Sequence, residues 1–89
     1  MRNKAFLSII SRSENVGLAR IAVATFSSNL DFTLSEIEEI KVAVSEAVTN
    51  SIIHGYPEED GKVDISMEIE NETLILEIVD YGIGISDVE

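Results

Sequence analysis

Ser45-Glu46-Ala47-Val48-Thr49-Asn50-Ser51-Ile52-Ile53-His54-Gly55-Tyr56 is the stretch on which the reading of the fold turns. Glu46, Asn50 and His54 recur at i, i+4 and i+8, so on a helix they form one polar column along a segment that is otherwise mostly apolar. A solvated helix face usually carries long side chains of mixed charge. A carboxylate, a carboxamide and an imidazole in a row suit a metal–phosphate site better.

Working back from the column, Thr33-Leu34-Ser35-Glu36 is a capping box that starts this helix. Ile37, Ile40, Val44, Ala47, Val48 and Ser51 line one face at helical spacing, with Glu38, Glu39 and Lys41 turned away. Between Val42 and Ile53 polar residues are few, which predicts a nearly enclosed second half. Gly55 stands where a left-handed cap would end the helix, and Pro57 bars its continuation. Upstream, Ser13 offers an N-cap to a first helix whose apolar face is Val16, Ala19, Val23 and Phe26. Lys4 to Ser11 reads as a strand.

Working forward, Glu58-Glu59-Asp60-Gly61 is a loop ending in a turn signal. Val63, Ile65, Met67 and Ile69 alternate with polar residues, a turn follows at Asn71-Glu72, and Leu74, Leu76 and Ile78 continue the alternation as an antiparallel hairpin. Asp80 shares the parity of Leu74, Leu76 and Ile78, so its carboxylate belongs on the core-facing side. A buried aspartate is costly unless something hydrogen-bonds it. Either it caps a turn by accepting from the amides of Gly82 or Gly84, or it holds a ligand in a cavity shared with the Glu46, Asn50 and His54 column. In the second case the two glycines let the backbone approach a flat ring.

Eighty-nine residues make one domain. Without cysteine there is no disulfide framework or thiolate metal site. A cytoplasmic setting is compatible with that. The short apolar run Ala5 to Ile10 does not read as a signal peptide, and no run approaches transmembrane length. The net charge of -11 argues against nucleic acid or an anionic membrane as partner. The first thirty residues nevertheless hold Arg2, Lys4, Arg12 and Arg20 against Glu14 alone, so a basic first helix on an acidic body could dock an acidic partner.

Glu46-Ala-Val-Thr-Asn50-Ser-Ile-Ile-His54-Gly55-Tyr56, followed across a hairpin by Asp80-Tyr81-Gly82-Ile83-Gly84, resembles the N box and first glycine box of the ATP-binding fold of DNA gyrase, heat-shock chaperones, histidine kinases and mismatch-repair ATPases. Within that superfamily it looks most like the bacterial anti-sigma-factor serine kinases. Histidine kinases usually carry asparagine where Glu46 stands. The resemblance implies an α+β fold, a two-layer sandwich with a mainly antiparallel sheet covered on one face by helices (the Bergerat type). It implies an ATP-dependent serine kinase that binds a sporulation sigma factor and phosphorylates an anti-sigma-factor antagonist, as a homodimer. Glu46 would be the general base, Asn50 the Mg2+ ligand, and Asp80 the acceptor for the adenine amino group of ATP or ADP. Gly82 and Gly84 would flank the base, and His54 would close the helix end beside the nucleotide. The family's lid and second glycine box have no counterpart before Glu89. The expectation is therefore the N-terminal part of one ATP-binding kinase domain, weak or inactive in phosphoryl transfer. The alternative is a non-catalytic protein-binding module of a partner-switching system.

Overall fold

β-branched and aromatic residues alternating with polar ones build a sheet with one face against a core and one toward solvent. The computed structural model describes residues 1–81, and in it three strands form that sheet: β1 (Arg2–Ile10), β2 (Lys62–Glu70) and β3 (Thr73–Asp80). They run antiparallel in the order β1-β2-β3, with β2 central. Ile9 lies opposite Val63 and Val63 opposite Asp80. Directly paired residues share a face, so this register puts Asp80 on the same side as the buried Val63 and Ile65. The α+β fold class follows from this sheet and two helices.

β2 and β3 are joined by Asn71 and Glu72 alone, both at positive φ (54° and 64°). That is the backbone a two-residue hairpin needs, because its twist matches the strands. Between β1 and β2 the chain makes two helices, α1 (Val16–Ser27) and α2 (Leu34–Asn50), which pack on the inner face of the sheet. Ala19, Val23 and Phe26 of α1 meet Val44 and Val48 of α2 over Val63, Ile65, Met67 and Ile69. Each fully buried aliphatic side chain of this group is worth about 1.5–3 kcal/mol. The exposed pairs Arg12–Asp60 and Lys41–Glu38 fall in a class worth about 0–1 kcal/mol each, so the core dominates.

Several local details differ from the sequence reading. β1 begins two residues earlier than expected. Ser13 opens a 3-10 turn (Ser13–Asn15) rather than capping α1, whose first turn has no side-chain cap; Asn15 instead donates to the Ile10 carbonyl. The capping box of α2 is formed as expected, with Thr33 and Glu36 bonding each other's backbone amides. The second half of α2 is not enclosed: Val42, Ala43 and Ile53 are exposed, because sheet and α1 cover only one of its faces. Gly55 is not left-handed. The helix instead widens into a π-wound segment, Ser51–Gly55, and ends at Tyr56.

Candidate functional site

Helical geometry places Glu46 and Asn50 one turn apart on the open face of α2. Both side chains are exposed, and they line one open groove of about 460 Å³ together with Ser45 and Thr49. The Ser45 hydroxyl is itself enclosed and has no hydrogen-bond partner among the described residues. Glu46 and Ser45 also border a second hollow, which Arg20 of α1 and the Lys41–Glu38 ion pair line as well. His54 is exposed on the π-wound segment and does not line either groove. A π turn carries i→i+5 spacing, which rotates later residues out of an i, i+4 column.

Asp80 arrives from the sheet. It ends β3, half-buried, with its side chain against the C-terminal end of the same helix. A Cβ on residue 55 would lie 2.9 Å from Asp80 Oδ1 and 3.1 Å from its Cγ, so glycine at 55 is what lets the carboxylate sit there. The structure thus joins Asp80 to the motif helix through Gly55, five residues beyond Asn50. Gly82 and Gly84 lie outside the described residues.

Tyr56 and Tyr81, which the sequence reading left without a role, tie these parts together. Tyr56 is 8% exposed; its hydroxyl donates to the Lys62 carbonyl (2.9 Å) and accepts from the Tyr81 N–H (2.7 Å). Its ring occupies the space that a Cβ on Gly61 would need. On the far side of the sheet the Tyr81 hydroxyl donates to Asp64 Oδ2 (2.7 Å), while Ser8 Oγ donates to Oδ1 (2.8 Å). Lys62 Nζ lies 5.2 Å from the Tyr81 ring centroid. The hydrogen bond from Tyr81, with that from Ser8 and the nearby Lys62 charge, holds the Asp64 carboxyl below the usual carboxylate range. The same bond raises the Tyr81 phenol above its ordinary value, so the two shifts describe one interaction. The sequence signal for this cluster was weak: an aspartate on the outer strand face reads as solvated until a neighbouring ring covers it.

A divalent cation fits the groove in donor chemistry. Asn50 and Glu46 offer hard oxygen donors, and Mg2+ takes few protein ligands, filling its shell with water and phosphate oxygens. No group of three or more metal-ligating side chains is gathered among the described residues, so the protein alone would not cage a metal. No helix there is long and apolar enough to cross a membrane.

A helix whose carboxylate and carboxamide open on a groove, with a strand-end aspartate seated at its terminus, matches a defined class. The chain belongs to the histidine kinase-like ATPase domain family, which it matches over residues 9–89. Among curated proteins it is similar to anti-sigma F factors. It is 51% identical to that of Clostridium acetobutylicum over 89 residues, the whole of this chain and 62% of the relative. It is 51% identical to that of Bacillus velezensis over 90 residues, with the same shares. To one from Clostridium botulinum it is 52% identical over 87 residues, or 97% of this chain and 61% of the relative. The chain thus spans a little over three fifths of the length of these relatives.

Proposed function

We propose that this chain carries the adenine- and metal-binding half of an anti-sigma factor that is also an ATP-dependent protein serine kinase. The protein would bind a sporulation sigma factor, phosphorylate an antagonist protein on serine, and act as a homodimer in the cytoplasm. The observation that carries this reading is the seating of Asp80 on Gly55, which attaches the aspartate to the helix that presents Glu46 and Asn50. The names of the relatives support the sigma-factor partner.

In this reading Asp80 accepts a hydrogen bond from the exocyclic amine of adenine, which orients the base. Gly82 and Gly84 flank it. Asn50 would hold Mg2+, and Glu46 would take the proton from the serine hydroxyl as its oxygen bonds to the γ-phosphorus and the bond from that phosphorus to the β–γ bridging oxygen breaks, releasing ADP. Mg2+, when bound, supplies charge neutralisation at the phosphate oxygens. His54, exposed on the π-wound segment and outside both grooves, would at most close the helix end.

The test is titration of the protein with ADP, with and without Mg2+, for wild type and Asn50→Ala. Mg2+ is expected to strengthen binding by at least tenfold in the wild type and to have no effect in the variant. Since Asn50 is exposed, the circular dichroism of the variant should be unchanged. Equal Mg2+ dependence in both proteins would overturn the metal role of Asn50. At the relatives' length, Glu46→Gln should leave ADP binding intact and slow serine phosphorylation by about 10²–10⁴-fold.

A further inference from the structure

Tyr56 joins three parts of the site's frame among the described residues. It follows Gly55 at the end of the motif helix, its hydroxyl donates to the carbonyl of Lys62 at the start of β2, and it accepts from the Tyr81 amide just beyond β3. That amide belongs to the peptide unit whose carbonyl is Asp80's own. Its orientation therefore sets the backbone from which the Asp80 carboxylate projects.

The ring itself has little freedom. It is buried, it fills the space over Gly61, and Gly61 is clamped to Ser11 by two hydrogen bonds, the Gly61 N–H to Ser11 Oγ (2.8 Å) and the Ser11 N–H to the Gly61 carbonyl (3.0 Å). A phenol has one proton to donate and two lone pairs to accept with, and the proton and one lone pair are committed here. A phenylalanine would fill the same volume, yet leave a carbonyl and an amide unpaired beside the aspartate.

We propose that Tyr56 is a positioning residue for base selection: its hydroxyl fixes the end of β3 so that Asp80 meets the exocyclic amine of adenine at the Gly55 end of the motif helix. The inference rests on the nucleotide-binding reading above and adds to it a residue that determines specificity. A site that reads one amine needs its acceptor held to within a fraction of an ångström, and Asp80 lies at a strand end, where one missing bond loosens it.

The experiment compares ADP with inosine diphosphate, which carries a carbonyl oxygen in place of the amine, in wild type, Tyr56→Phe and the core variant Val23→Ala. Wild type should prefer ADP by at least tenfold. In Tyr56→Phe that preference should shrink at least fivefold, with loss falling on ADP rather than on the inosine nucleotide. Val23→Ala, which lowers the melting temperature without touching the site, should keep the wild-type preference; its losing the preference equally would mark the effect as general loosening and overturn the proposal. Hydrogen exchange supplies a readout independent of any variant: the Tyr81 amide of the wild type should exchange at least tenfold more slowly than in an unstructured peptide. Free-peptide exchange there, or an unchanged preference in Tyr56→Phe, would overturn this inference alone. Wild type that binds neither nucleotide would overturn the nucleotide reading, and this inference with it.

Discussion

At the scale of single residues, the site depends on one missing methyl group. Gly55 has negative φ, so an alanine there suits the backbone, but its Cβ would press on Asp80. Gly55→Ala should change stability by no more than about 1 kcal/mol, since alanine's helix propensity offsets the contact. It should weaken ADP binding at least tenfold by displacing the carboxylate; calorimetry beside urea unfolding separates the two effects. The Asp64–Tyr81 bond predicts a pH dependence with two limbs. Asp64 titrates lower in the folded protein than unfolded, so its contribution is present above the unfolded value of about 4 and is lost as pH falls through the folded one. Tyr81 titrates higher when folded, so its contribution is present below about 10 and is lost as pH rises through the raised value. Tyr81→Phe should move acid unfolding to higher pH and remove this tyrosine's part of the alkaline loss, as read from urea midpoints across pH.

At the scale of elements, the hairpin and the capping box carry strain and support that can be measured separately. Glu72 is a charged residue at positive φ, which costs about 1–2 kcal/mol for a side-chain-bearing residue. Glycine removes that cost and adds about 0.4–1 kcal/mol of unfolded-state entropy, so Glu72→Gly should stabilise by roughly 0.5–1 kcal/mol. Thr33→Ala should destabilise by about 1 kcal/mol through loss of the cap. Both are checked by urea unfolding. These elements were legible in the sequence because each rests on local rules: a period of two, a period of 3.6, and a T-x-x-E box. The end of α2 was not. Gly55 before Pro57 has the signature of a left-handed cap, but what the glycine makes room for is Asp80, 25 residues away, and no local rule registers that contact. The helix also widens to a π turn there, which moves His54 away from the line of Glu46 and Asn50.

At the scale of the whole molecule, the two faces of the sheet divide the work. The inner face holds the core and delivers Asp80 to α2, as its parity with Leu74, Leu76 and Ile78 predicts, because register propagates along paired strands. The outer face was harder to read. It buries Asp64 beneath Tyr81 yet leaves Phe6 65% exposed and Ile10 and Ile75 open to solvent. Such a face suits the proposed homodimer. Phe6→Glu should weaken self-association at least tenfold by sedimentation, with little change in the melting temperature of the monomer. The proposed function itself hangs on the inner face.

Its most direct test is a calorimetric titration of ADP and Mg2+ into the wild type and Asp80→Asn. The account predicts binding by the wild type and an affinity at least tenfold lower in the variant, with both folded by circular dichroism. Equal affinities, or no binding by folded wild type, would contradict the adenine site placed at the junction of Gly55 and Asp80.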